Sequence, residues 1–234
     1  GHIERSPMYH AQVLEDLLDV LNAFANRGTA PLFRETLLER FADASQRMLG
    51  WLKIMSHPDG KIALLNDSAF GETAGVETLE TYSTSLGIRT SDVPAPLPTD
   101  GHGRRSSENR GAVPLFLAET GYLRVGCGDM AAFLDVAPIG PDWLPGHAHA
   151  DTLTFELSLG RQRVIVDSGC SRYDEGAERL RQRGTAAHNT VAIDGADSSE
   201  VWGGFRVARR AYPRELRIEE AKKMGSDPNF STLV

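Results

Sequence analysis

A chain of 234 residues with 41% hydrophobic and 24% charged residues falls in the globular range, long enough for one large domain or two smaller ones, which excludes a disordered polymer. Its formal net charge of -7 argues against a basic phosphate-binding surface and so against nucleic acid as a partner. The two cysteines, Cys127 and Cys170, are too few for a disulfide framework and lack CxxC spacing, and no apolar run reaches membrane-spanning length.

The chain opens on "GHIERSPMYH", a charged, motif-like segment without an initiator Met, so a missing N-terminal part is expected. Ser6 as N-cap and Pro7 at the first helical position then start a helix that places Leu14, Leu17, Leu18, Leu21 and Phe24 on one face and can end at Gly28. A second amphipathic run, "PLFRETLLERFADASQRMLGWLKIM", carries Leu37, Leu38, Phe41, Met48 and Trp51 and ends before the turn "HPDG".

Beyond Asp59 the apolar runs shorten, and "DVPAPLPTDGHGRRSSENRGAVP" has the composition of an exposed loop or linker. Strands are expected after it. "GYLRVGCG", "AAFLDVAP", "TLTFELSLGRQRVIVDSG" and "HNTVAIDG" alternate with period two, clearest in Leu153, Phe155, Leu157 and Leu159 against Thr152, Thr154, Glu156 and Ser158, with "LGRQ" as a hairpin turn. Helices followed by strands predict an α+β fold: mainly helix to about residue 56 and mainly antiparallel strand after about residue 112. The polar tail "ELRIEEAKKMGSDPNFSTLV" reads as frayed or truncated.

Two features carry chemistry. Between Arg161 and Arg217 there are eleven arginines and no lysine, a bias toward the side chain that grips carboxylate or sulfate in a fork, with scattered surface arginines as the equal alternative. "GHAHAD" sets His147, His149 and Asp151 at alternate positions, which an extended chain would turn to one face. With Asp167 in "VIVDSG" and His188 in "AAHNT" they form a candidate zinc or other divalent-metal ligand set. Asp167 as a turn cap and His188 as a hydrogen-bonded core histidine are the alternatives.

"GHAHADTLTFEL", "VIVDSG", "TAAHNTVAIDG" and "EVWGGFRV", with "ERSPMYH" near the start, resemble the heparinase II/III-type polysaccharide lyases in the same order from about residue 1 to residue 215. The resemblance implies the end of an α/α toroid followed by an antiparallel β-sandwich: residues 1–100 as the last helices of an incomplete toroid with their loops, and residues 101–234 as the sheet domain, truncated at its C-terminus. It implies β-elimination of a 4-linked uronate in an acidic polysaccharide, without water, and a periplasmic or extracellular location. Tyr9 would be the proton-transferring tyrosine and His147 its partner. A basic role for Tyr9 requires positive charge nearby, from arginines or His10.

His149, Asp167 and His188 match the zinc ligands, the zinc being structural, with Asp151 orienting a neighbour. The family's carboxylate-neutralising asparagine or histidine lies upstream of the "SPMYH" match, so a fragment of a longer lyase is expected. Two other classes compete: a non-catalytic module that binds anionic glycan around a structural zinc, and a zinc hydrolase using a general base such as Glu156.

Overall fold

The computed structural model describes residues 2–25, 32–89 and 113–217. Helices α1 (Pro7–Ala25), α2 (Leu32–Ile54) and α3 (Val76–Ser85) come first. Strands β1 (Val113–Leu117), β2 (Tyr122–Cys127), β3 (Met130–Asp135), β4 (Phe155–Leu159) and β5 (Gln162–Ile165) follow as one open antiparallel sheet in sequential order. A short helix α4 (Ala177–Arg183), a 3-10 turn at Thr185–Ala187 and the hairpin β6 (Val201–Trp202) with β7 (Arg206–Val207) come last. The expected mixture of helix and antiparallel sheet is thus observed. Gly28 and the loop core at 90–112 lie outside the described residues.

Ser6 caps α1 by accepting the Tyr9 backbone N–H at 3.2 Å, and Pro7 stands at the first helical position, where its missing N–H costs nothing. Met8, Ala11, Leu14 and Leu18 form its buried stripe, packed with Leu49 and Leu52 of α2 and Leu79 of α3. The stripe is shorter than predicted, since Leu17 and Leu21 are half-buried and Phe24 is exposed. On α2 the inward face is Ser45, Leu49 and Leu52, rotated from the predicted one, so that Met48 and Phe41 are half-buried and Leu37 is exposed.

The period-two alternation in β4 holds, but its polar face is the one turned inward. Glu156 and Ser158 are fully buried while Phe155 and Leu157 are half-buried and Leu159 is exposed. His57, in the turn after α2, explains the inversion: its ring bonds Ser158 Oγ at 2.6 Å and Glu156 Oε2 at 2.8 Å. Glu156 also accepts the backbone N–H groups of Leu64 and Asp167. Around this polar latch, Trp51, Met55, Ala63 and Leu65 pack on Tyr122, Ala131 and Phe133, tying the helices to the inner face of the sheet.

Three elements differ from the sequence reading. "HNTVAIDG" forms no strand: it is an irregular loop with a single bridge between Ile193 and Ala196, and Val191 and Ile193 are exposed. Helix α3 buries only Val76, Leu79 and Ser83, too sparse a stripe to stand out in a polar segment. Strand β1 begins within the stretch assigned to the loop.

His10 lies fully buried between α1 and α2, beside Trp51. Its Nδ1 accepts the His2 backbone N–H at 2.9 Å and its Nε2–H donates to the Met48 carbonyl at 2.8 Å, a pairing only the neutral ring can make. Burial holds its pKa down to about 3. Above the ordinary histidine pKa the folded and unfolded chains are both neutral here; as pH falls toward 3, only the unfolded chain takes up the proton, so stability is lost. The variant His10→Phe is expected to lack this component, making its unfolding free energy less dependent on pH by up to about 1.4 kcal/mol per pH unit between roughly pH 6 and 4. Equal slopes in denaturant titrations of the two proteins would contradict this.

Candidate active site and metal centre

The N-terminus of α1 and the "GHAHAD" loop meet on the turn Asn66–Asp67–Ser68, which follows the buried run Ile62–Leu65. Asn66 takes a left-handed φ of 56°, a conformation asparagine tolerates better than most side chains. Its side-chain amide donates to the Tyr122 hydroxyl at 2.9 Å and accepts the His149 backbone N–H at 3.1 Å. The Asp67 N–H donates to the His147 carbonyl at 3.2 Å, and the Asp67 carbonyl accepts the Ser6 hydroxyl at 2.6 Å. Ser68 Oγ accepts the Met8 N–H at 3.3 Å, and the Ser68 carbonyl accepts the Cys170 N–H at 3.0 Å. Gly169 permits that last approach: its φ is +56°, and a Cβ there would lie 2.1 Å from the Ser68 carbonyl oxygen. The glycine of "VIVDSG" is therefore a steric requirement.

The Asp67 carboxylate is fully buried and accepts from three side chains. His147 Nδ1 is 2.8 Å away, His149 Nε2 is 2.7 Å away, and the buried Arg179 guanidinium grips both oxygens, with Nη2 at 2.7 Å. These donors hold its pKa well below the usual carboxylate range despite burial. Arg179 also donates Nε–H to the Gly204 carbonyl, and its guanidinium lies over the rings of Tyr173 and Phe205. Arg183 is buried beside it and holds the histidine loop through the Ala148 carbonyl at 3.0 Å.

Tyr9 and His147 come together from opposite sides of this turn, their ring centroids 4.3 Å apart. The part-exposed rings of Tyr173 and Phe205 stand about 6 Å from His147, and the Tyr173 hydroxyl accepts from Cys170 Sγ at 3.3 Å. Burial first, and the Asp67 charge further, push the Tyr9 hydroxyl above its ordinary pKa, against the lowering effect of the Tyr173 hydroxyl. The positive charge that a tyrosinate would need is not supplied as expected. His10 points away into α2 as a neutral ring, and Arg179 is committed to Asp67. The Tyr9 hydroxyl in this setting keeps its proton at neutral pH.

Residues 146–151 form no strand, so alternation does not govern them, and His147 and His149 diverge from the shared Asp67. His149, Asp151 and His188 converge: one ligand atom from each lies within 4.8 Å of the others, and all three are buried. His149 Nδ1, His188 Nε2 and both Asp151 oxygens are buried without a hydrogen-bond partner, while burial pushes the Asp151 carboxyl up to about 7. Such unpartnered buried polar atoms cost free energy unless something binds them, and two imidazoles with a carboxylate suit zinc. The residues fit a divalent ion.

The carboxylate in that group differs from the expected one. Asp167 sits behind His188, with both its oxygens about 3 Å from Nδ1, and it also accepts Thr154 Oγ–H and the Gly169 N–H. The loop turns Asp151 toward the two imidazoles, while Asp167 caps its own turn and stays within hydrogen-bond reach of His188. Glu156 is sealed by His57 and cannot serve as a solvent-facing base. The arginine bias is mostly internal: Arg163, Arg172, Arg179, Arg181, Arg209 and Arg210 each pair with a carboxylate of this chain. Asp67, Arg179 and Tyr173 were not singled out as site residues by sequence. Their signal was faint: an Asn-Asp-Ser triplet closing an apolar run, and one arginine among eleven.

The family model described as heparinase II/III-like, C-terminal, matches residues 109–232. Among curated proteins, FtsZ-localized protein C of Caulobacter vibrioides (strain NA1000 / CB15N) is 27% identical over 211 residues, covering 88% of this chain and 30% of its own length. Among solved structures, a heparinase III gene product superposes with a TM-score of 0.61 at 20% identity, covering 86% of this chain and 32% of its own. A crystal structure of heparinase III gives 0.57 at 20%, covering 87% and 33%. The structural likenesses show the fold, and the chain spans about a third of the length of these relatives. A match over more than half of the chain, on the part that carries the histidine loop and the sheet, makes it a member of the heparinase II/III-like family.

Proposed function

We propose that the protein containing this chain is a polysaccharide lyase that cleaves a 4-linked uronate glycan by β-elimination. The observation that carries the reading is the contact of Tyr9 with His147, two proton-transfer groups from different layers of the fold. In this reading residues 1–100 supply the closing helices of a toroid and residues 101–234 the sheet domain, with glycan between them. An acidic glycan as substrate implies a periplasmic or extracellular location.

The chemistry asks for a base at C5, an acid at the leaving oxygen and a partner for the uronate carboxylate. His147 serves as base: with its Nδ1–H donated to Asp67, Nε2 is left to take the C5 proton. The electron pair released forms the C4–C5 double bond as the C4–O bond breaks. Tyr9, kept protonated by its surroundings, gives its proton to the departing oxygen. The carboxylate-neutralising group belongs, by family resemblance, to a helix upstream of Tyr9. His149, Asp151 and His188, with Asp167 behind His188, are the residues that would hold zinc. When bound it would fix the loop that carries His147, without taking part in proton transfer.

A second reading, a non-catalytic module that holds anionic glycan around a structural zinc, is favoured by one observation. The curated relative's name records a localisation and no enzymatic activity. The two readings part on the product, since only elimination creates an unsaturated uronate.

In the complete protein, Tyr9→Phe and His147→Ala are each expected to lower the rate of ultraviolet-absorbing product formation by about 10²–10⁴-fold, with the melting temperature of Tyr9→Phe near that of the parent. A parent that forms this product while Tyr9→Phe keeps its full rate would overturn the mechanism. A parent that binds uronate glycans and forms no product would favour the binding module.

Elemental analysis of the purified protein is expected to find stoichiometric zinc that is lost in His149→Ala, and chelation should lower the melting temperature. Protein without metal, or unchanged melting after the metal is stripped, would contradict the assignment.

A further inference from the structure

We infer that Asp67 is a positioning residue that imposes opposite tautomers on two histidines of one loop, so that His147 presents a bare Nε2 and His149 a bare Nδ1. For the catalytic meaning of His147 the inference rests on the function proposed above; for the tautomers themselves it rests on geometry alone.

An ionised carboxylate can only accept hydrogen bonds, so any ring nitrogen bonded to it must carry the proton. Arg179, bound to both Asp67 oxygens inside the protein, keeps the carboxylate in that form. Asp67 meets His147 through Nδ1 at 2.8 Å and His149 through Nε2 at 2.7 Å. The proton therefore sits on Nδ1 in the first ring and on Nε2 in the second. A neutral imidazole leaves its other nitrogen with a lone pair. In His147 that nitrogen is Nε2, which lies 3.8 Å from Glu4 Oε1. In His149 it is Nδ1, buried without a hydrogen-bond partner and facing the cluster with Asp151 and His188.

The main chain supports the same arrangement. The Asp67 N–H bonds the His147 carbonyl, and Asn66 Oδ1 holds the His149 N–H, so the turn fixes both backbones whose rings its carboxylate orients. One acceptor thus prepares two lone pairs for two tasks: proton transfer on one side and metal ligation on the other.

The test is long-range proton–nitrogen correlation NMR on the complete protein labelled with 15N-histidine, recorded above about pH 8, where histidine is ordinarily neutral. His147→Gln and His149→Gln assign the signals. The expected spectrum shows His147 with a pyrrole-type Nδ1 and a bare Nε2, and His149 with a pyrrole-type Nε2. The same nitrogen protonated in both rings would overturn the inference, as would a His147 that exchanges between tautomers.

Asp67→Asn supplies a second measurement. An amide offers one accepting oxygen and one donating nitrogen to the two rings, so one of the two histidines is expected to change tautomer. A folded variant with both patterns unchanged would show that Asp67 does not set them. Should that variant fail to fold, the parent spectrum alone decides. The stated tautomers in a protein without lyase activity would remove the functional reading and leave the positioning role standing.

Discussion

Everything in this site hangs on a negative charge held inside the protein. Removing a carboxylate from water costs several kcal/mol unless it is paired and hydrogen-bonded, and Asp67 meets the condition with a forked Arg179 and two imidazole donors. The arrangement is demanding in both directions. Without Asp67, the Arg179 guanidinium would be left buried and unpaired; without Arg179, the carboxylate would have to draw a proton or distort the histidines. Its members come from four places in the chain: the turn at residue 67, the histidine loop, helix α4 and, through Ser6 and Ser68, the start of α1. Pairing them brings the helical and sheet layers into register at the point where Tyr9 meets His147.

A short step from this charge lies the cluster of His149, Asp151 and His188, whose free nitrogen and oxygen atoms the protein leaves unpaired. Two linked polar centres in a buried loop explain why the segment is irregular. A strand would commit its N–H and C=O groups to neighbours and throw alternate side chains to opposite faces. Residues 146–151 instead turn their backbone to Asn66, Asp67 and Arg183. Family membership agrees with this placement, since the matched region contains the loop, the sheet and α4 together.

The general plan was legible in the sequence because it rests on local chemistry. Ser6 and Pro7 mark a helix start by capping, and the change from period 3.6 to period two marks the passage from helix to sheet. Which face of β4 points inward was not legible, because it depends on His57, a residue about a hundred positions away that makes burial of Glu156 and Ser158 favourable. The same holds at the site. The histidines stand out by spacing, whereas Asp67 and Arg179, 112 residues apart, acquire meaning only when folding joins them. That Asp151 shares a cluster with His149 and His188 while Asp167 bonds His188 Nδ1 is likewise a product of the folded loop and not of spacing.

The Asp67–Arg179 pair joins the turn Asn66–Asp67–Ser68 to α4 and anchors the site, and a double-mutant cycle in chemical denaturation tests this most directly. With Asp67→Asn, Arg179→Gln and the double variant, each single change is expected to cost about 3–5 kcal/mol by stranding its buried partner. The double variant should cost less than the sum of the two by about 2–3 kcal/mol. Costs that add to within about 0.5 kcal/mol would mean that the two residues act independently, and the account of the site as built around one buried charge pair would be wrong.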